Sequence, residues 1–420
     1  MTRGLERGRE NDSFPVAEIL KPRDFKESRR AGQPRVGKNV NRKNVILKGT
    51  LIRPFFNMKL SEFDFNLPKN LIAQKPASPR DACRLMILNR ENETVRHDRF
   101  YNLGKYLGPG DVLVLNNSKV LPARLLGKKD TGGKVEILLL KQLSADSWQC
   151  LVGSVPVAKQ IGLKIKFNKN LNGEITKRVE DTAVIKFNLS GTKLMEQILK
   201  IGQPPTPPYI KRLAKSSEYQ TVYAEKLGSV AAPTAGMHFT KPLMNKLKKM
   251  GVQIEYITLH VGLGTFQPVK ENDITKHKIH SEYFELDKKT AERLNMAKRV
   301  GQRIIACGTT TVRVLESCFH PVIARSVATR QSHSDRAGDC FASLATTEVV
   351  AQRGETNIFI YPGYKFKFID AIITNFHVPK STLIMLVAAF AGKKFVDKVY
   401  QIAIEKKYRF YSFGDAMLIL

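Results

Sequence analysis

Three histidines sit in loops rich in small residues, at joints between candidate strands and helices: His238 in AAPTAGMHFT, His260 in LHVGLGTFQPV and His377 in TNFHVPKST. Imidazole titrates closest to neutrality of the common side chains, so it can move a proton or orient a substrate without a large shift. One loop histidine is more often a surface or structural group; three at the same kind of joint point to a shared cleft. Asp415 stands in the apolar run YSFGDAMLIL, where a carboxylate is either paired structurally or works as an acid or base. His238, His260, His377 and Asp415 are therefore the candidate catalytic residues.

Around them lie backbone features that suit a ligand. RIIACGTTTVRVLES places Gly308, Thr309, Thr310 and Thr311 at a helix start, where free N–H groups and hydroxyls suit an anion, although a threonine N-cap on a tight turn explains them equally well. Gly262 and Gly264 let the backbone after His260 approach a ligand closely. They form no GxGxxG, and no acidic residue follows at the spacing of a dinucleotide site, which disfavours a nicotinamide enzyme or an ordinary Rossmann methyltransferase. Asn375 joins His377 at a strand end, where open α/β sheets bind ligands. His277 and His280 are spaced to face one way on a helix, but no further ligand accompanies them, and Cys83, Cys150, Cys307, Cys318 and Cys340 are scattered; free thiols and no metal are expected.

Different elements must position these groups. The chain has 420 residues, 69 Lys+Arg against 38 Asp+Glu, and a net charge of +31, which points to a polyanion such as nucleic acid as partner unless lysine merely solvates the surface. Its hydrophobic fraction of 42% is that of a globular protein with a core. The apolar run LIMLVAAFA falls far short of a membrane span, and the N-terminus lacks a secretory pattern, so a soluble cytoplasmic protein with no membrane partner is expected. Residues 1–57 read as a basic disordered extension, and 320–354, rich in Ser, Ala, Thr and Arg, as a surface insertion. Between Asp111 and Leu189, short β-rich runs separated by turn clusters at Gly132-Gly133 and Asn172-Gly173 predict a small barrel. After it, strands at Gln253–Leu259, Arg303–Cys307 and Phe368–Thr374 alternate with helices at Thr240–Met250, Lys288–Val300, Thr311–Ser317 and from Ser381, which predicts a layered α/β sheet. The boundaries drawn are 58–117 and 208–420 for the α/β part and 118–207 for the barrel with its Pro-rich connector. In that connector Tyr209, Lys211 and Arg212 can meet RNA, and Tyr408, Phe410, Tyr411 and Phe413 are candidate base-stacking aromatics, unless they belong to a buried C-terminal strand.

Long blocks in a fixed order carry a resemblance. MKLSEFDFNLPKNLIAQKPASPRDACRL, LGPGDVLVLNNSKVLPARLLGKK, PPYIKR, YQTVYA, SVAAPTAGMHFT, TLHVGLGTFQPV, GTTTVRVLES, FIDAIITNFHVPKSTLIMLVAAFAG and YRFYSFGDAMLIL together resemble the S-adenosylmethionine:tRNA ribosyltransferase-isomerase family of the queuosine pathway. The likeness spans about residues 58–420 apart from the insertion, which that family does not usually carry. It implies an α/β main domain with a smaller antiparallel β-barrel inserted. It also implies transfer and isomerisation of the ribosyl group of S-adenosylmethionine, a co-substrate rather than a cofactor, onto 7-aminomethyl-7-deazaguanine at the tRNA wobble position. Epoxyqueuosine, adenine and methionine are the implied products, and neither a cofactor nor a metal is implied. Under this reading the three histidines supply acid, base or orienting functions with Asp415 as carboxylate partner. Gly262, Gly264, Gly308, Thr309, Thr310, Thr311 and Asn375 shape the donor pocket, while Arg80, Arg124, Tyr209, Lys211 and Arg212 hold the tRNA through phosphate contacts and stacking. A monomer is expected. The rivals are a conventional S-adenosylmethionine-dependent RNA methyltransferase and a non-catalytic RNA-binding protein.

Overall fold

The computed structural model describes residues 58–153, 155–156, 160–179, 181–212, 214–262, 269, 271–322 and 346–420. The basic extension at 1–57 and most of the predicted insertion lie outside them.

Strands and helices are numbered along the chain. A nine-stranded mixed sheet runs from β17 (Gln352–Thr356) through β13 (Glu282–Leu286), β12 (Gln253–Leu259), β3 (Val112–Asn116), β14 (Ile304–Cys307), β18 (Ala371–Asn375), β19 (Ala416–Ile419) and β1 (Arg84–Asn89) to β2 (Thr94–Arg99). The central strands β12, β3, β14 and β18 are mutually parallel; β19 reverses against β18. Alternation along the strands divides their side chains between two cores. Val112, Val114, Ile304, Ala306 and Ile372 face one, and Leu113, Leu115, Ile305, Cys307 and Ile373 the other. The first core is covered by α3 (Lys288–Arg299), α4 (Thr309–Ser317), α5 (Thr382–Ala391) and α6 (Lys393–Glu405), through Leu294, Val312, Met385 and Val399. The second is covered by α2 (Lys241–Lys249), through Leu243 and Leu247.

The β-rich middle of the chain closes into a barrel in the order β10 (Thr182–Phe187), β7 (Ser147–Gly153), β6 (Lys134–Gln142), β5 (Arg124–Lys129), β8 (Lys164–Lys166), β9 (Asn172–Val179). Every neighbouring pair in it is antiparallel. Ile137, Leu139, Cys150, Ile175 and Ile185 fill it, and the amphipathic helix α1 (Gly191–Ile201) adds Leu194 and Ile198 to the same core. The Pro-rich connector then returns beside β5, where Arg124 and Gln203 exchange backbone hydrogen bonds of 3.1 and 2.9 Å. Short pairs complete the fold: β4 (Ser118–Val120) with β11 (Lys226–Ser229), and β15 (Phe319–Val322) with β16 (Thr346–Val349). Residues 346–354, predicted to belong to a surface insertion, thus carry β16 and the start of β17, which pairs with β13 in the main sheet.

Some boundaries move for physical reasons. The Asn172-Gly173 pair does not make the expected turn but opens β9, where a Cβ on Gly173 would stand 2.9 Å from Ile185 Cδ1; the glycine serves a close crossing of barrel strands. The strand expected from Phe368 begins at Ala371, because the N–H groups of Lys367, Phe368 and Ile369 are donated to the Glu316 carboxylate instead of a neighbouring strand. Tyr408, Phe410 and Phe413 are buried and serve as core rather than as a stacking surface for bases, Tyr411 is largely buried at the edge of the cleft described below, and the last strand follows them. His277 and His280 share no helix: a short 3₁₀ turn, Ile274–Lys276, ends just before them, and His277 Nδ1 lies 2.8 Å from Glu271 Oε2.

Candidate functional site

β14 and β18 are parallel neighbours, so the loops leaving their C-terminal ends face one another, where open parallel sheets take ligands. After β14 the chain turns at Gly308 (φ +88°, ψ 151°), a conformation open to glycine alone, which starts α4 two residues earlier than the sequence pattern predicts. The Gly308 N–H is donated to Ile373 O at 2.7 Å, tying the turn to β18. Thr309 and Thr310 of this helix start, with Asn375 at the end of β18 and His377 just after it, line a cleft of about 280 Å³. A 3₁₀ turn, Thr234–His238, adds Thr234 and Ala235 beside them on the lining. An aromatic wall comes from the connector and the C-terminal segment: the rings of Tyr209 and Tyr411 lie 4.6 Å apart, and Tyr209 OH and Ser412 Oγ share a hydrogen bond of 2.6 Å. The one Lys or Arg on the lining among the described residues, Lys380, is paired with Asp64 at 2.6 Å.

The predicted site residues separate into three groups. Gly308, Thr309, Thr310, Asn375, His377 and Tyr209 line the cleft. His238 and Thr311 sit directly behind it. Thr311 is buried with its hydroxyl donated to Cys307 O at 2.7 Å, and His238 is buried with Nε2 3.0 Å from Asn375 Nδ2 and Nδ1 3.2 Å from Cys83 Sγ. The others stand elsewhere. His260 follows β12, with its ring stacked on Tyr283 at 5.8 Å and its Nδ1 without a hydrogen-bond partner among the described residues. The Gly262 N–H is donated to Glu282 Oε1 at 2.8 Å, and Gly264 lies outside the described residues. Asp415 is bonded to no histidine among the described residues; its carboxylate accepts from the backbone N–H groups of Arg84 (3.0 Å) and Arg409 (2.8 Å) and from the Arg409 guanidinium at 3.3 Å, which pins the C-terminal segment to β1.

The basic candidates have protein partners already. Arg80 donates to the carbonyls of Gln220 and Ser217, Arg124 pairs with Glu136 at 2.8 Å on the barrel, and Arg212 pairs with Glu218 at 2.8 Å, while Lys211 is exposed. Sequence reasoning misses Thr234, Cys83 and Ser412 as members of the site. Thr234 stands in a block that its histidine already marks, while Cys83 carries no sequence signal, since its place beside His238 arises from tertiary contact alone.

Burial decides the charge states. The pKa of His238 falls to about 3 because the ring is desolvated, with the cations of Arg409 and Arg80 adding to the effect. His377 falls to about 3 and His260 to about 4, again chiefly by desolvation. All three imidazoles are therefore neutral at pH 7 and serve as hydrogen-bond partners, not as resident acids. Thr374 Oγ1 lies 2.8 Å from His377 Nε2, and the His377 backbone N–H is donated to Tyr400 OH at 3.0 Å, which fixes the ring in the wall. Among the described residues no group of three or more His, Cys, Asp or Glu could hold a metal ion, and no helix is long and apolar enough to cross a membrane.

Residues 60–419 match the family model described as a queuosine biosynthesis protein. A relative from Thermoanaerobacter sp., named S-adenosylmethionine:tRNA ribosyltransferase-isomerase, is 50% identical over 371 residues, which span 86% of this chain and all of that protein. One of the same name from Carboxydothermus hydrogenoformans is 48% identical over 366 residues, with the same coverage. A crystal structure of an S-adenosylmethionine tRNA ribosyltransferase from Thermotoga maritima matches 86% of the chain at 38% identity, with a TM-score of 0.45.

Proposed function

This chain belongs to the S-adenosylmethionine:tRNA ribosyltransferase-isomerase family of queuosine biosynthesis, and from that premise we propose that the cleft at the ends of β14 and β18 is where it binds S-adenosylmethionine and transfers the ribosyl group. The acceptor is 7-aminomethyl-7-deazaguanine in the tRNA anticodon, and the products are epoxyqueuosine, adenine and methionine. The single observation that carries the placement is convergence: three separate sequence blocks, around Thr234, Gly308 and His377, meet on one cleft at the ends of two parallel strands.

The geometry suits a positively charged donor. A sulfonium is not repelled by a wall of neutral or paired groups, and its charge acidifies the carbon beside it, which lowers the demand on a base as weak as a buried imidazole with a pKa of about 3. His377 is the neutral imidazole on the wall, and among the described residues no Lys or Arg lines the cleft apart from Lys380, whose charge Asp64 offsets. Apolar and aromatic surface from Tyr209, Tyr411, Phe376 and Val378 suits the adenine ring. The free N–H groups at the start of α4 suit a carboxylate such as that of the methionyl moiety. Arg80, Arg124, Tyr209, Lys211 and Arg212 remain candidates for the tRNA, and of these Lys211 is the exposed cation. The test is incubation of the purified protein with S-adenosylmethionine and tRNA bearing 7-aminomethyl-7-deazaguanine, read by mass spectrometry of the nucleosides. Free adenine with epoxyqueuosine is expected; a methylated base with S-adenosylhomocysteine overturns the reading.

A further inference from the structure

The side chain of Asn375 is held from several directions, and the chemistry of its partners leaves one arrangement. Its Nδ2 lies 3.2 Å from Tyr411 O, and a backbone carbonyl only accepts, so the amide nitrogen must point there. The second hydrogen of the same nitrogen meets His238 Nε2 at 3.0 Å, which makes Nε2 an acceptor and puts the ring proton of the neutral imidazole on Nδ1. That proton points at Cys83 Sγ, 3.2 Å away. On its other side Asn375 Oδ1 accepts the Thr234 hydroxyl proton at 3.0 Å. Thr234 is partly exposed on the cleft wall, and with its only proton spent on Asn375 it offers the cleft lone pairs alone.

We propose that His238 is a positioning residue and carries no proton in the reaction: with Cys83 behind it and Tyr411 O beside it, it locks Asn375 so that the Thr234 hydroxyl acts purely as an acceptor for an O–H or N–H of the bound donor, a ribosyl hydroxyl or the methionyl ammonium. Protonated His238 would set an Nε2–H against the Asn375 N–H, and the amide could not relax by flipping, since its oxygen would then face the Tyr411 carbonyl. The polarity of a cleft hydroxyl is in this way set by a backbone carbonyl through the one amide between them. Cys83 has a definite part: burial holds its thiol well above the usual range, so it accepts the Nδ1–H as a neutral sulfur, and no thiolate–imidazolium pair forms.

The inference rests on the cleft being the S-adenosylmethionine site, and the experiment separates the two claims. In full-length protein with ¹⁵N-labelled histidines, His238, assigned by loss of its signals in His238→Gln, should show an unprotonated Nε2 and a protonated Nδ1. In Asn375→Asp a carboxylate oxygen faces Nε2, and Nε2 should become protonated. Thr234→Val should weaken S-adenosylmethionine binding by roughly 10-fold, with KM raised more than kcat is lowered, and Thr234→Ser should restore it. Leu383 also lines the cleft, and Leu383→Trp, which puts an indole into that space, should abolish binding. Binding unaltered by Leu383→Trp overturns the placement of the donor. Binding lost there but unaltered in Thr234→Val, or an Nε2-protonated His238 in the wild type, overturns the inference itself.

Discussion

The buried imidazoles set the behaviour of single residues. Each of His238, His260 and His377 has a folded pKa depressed from 6.5 to about 3 or 4, so the unfolded chain binds more protons between those values. Their contribution is fully present above pH 6.5 and is lost as pH falls toward the folded values. Thermal unfolding followed from pH 7 down to pH 4 should show Tm falling across this window, with a shallower fall in His377→Gln. Asp415 has a structural part. Its carboxylate accepts the hydrogen bonds that hold the C-terminal segment, and an amide can replace only part of this, so Asp415→Asn should cost about 2 kcal/mol of stability and leave the single-turnover rate of the folded fraction intact. A rate loss at unchanged Tm would restore the acid or base role expected for it. At this scale the residue types were legible and their charge states were not, since a pKa follows from burial, which the local sequence does not contain.

Among the elements, the turn between β14 and α4 carries the most consequence. Gly308 holds φ +88°, and a Cβ at this position would meet only Ala235 Cβ and Thr310 Oγ1, each at 3.6 Å, so space is not the obstacle; backbone conformation is. Gly308→Ala should therefore cost about 1–3 kcal/mol, and chemical denaturation measures it. It should also weaken S-adenosylmethionine binding, because the N–H groups of Thr309 and Thr310 would be redirected. Strands and helices followed from hydrophobic period: β12 spans Gln253–Leu259 as expected, and α3 ends within one residue of its predicted limit. The boundaries that moved did so through distant partners. Glu316 takes the N–H groups that would have extended β18, and Ile185 on another strand turns a Gly that reads as a turn residue into a strand residue.

For the molecule as a whole, a net charge of +31 and a cleft whose lining lysine is paired describe two kinds of binding. Affinity for tRNA should fall steeply between about 50 and 200 mM salt, by counterion release, while that for S-adenosylmethionine should change little; equal salt sensitivity would mean that the donor is held by exposed charge rather than by the cleft. Residue type, period and order along the chain were enough to read the barrel in the middle, the alternation of strands and helices after it, the net basic charge and the blocks that carry the family; β1, β2, α1 and α6 were not read from them. Only the tertiary structure decided which of those blocks share a site. It brought Thr234, Gly308 and His377 together, set His260 and Asp415 apart, and added Cys83 behind His238. The order of strands in a sheet is fixed by packing between segments as distant in the chain as β3 and β14 or β1 and β19, and a group's partners, hence its charge and hydrogen-bond polarity, exist only once that packing is made.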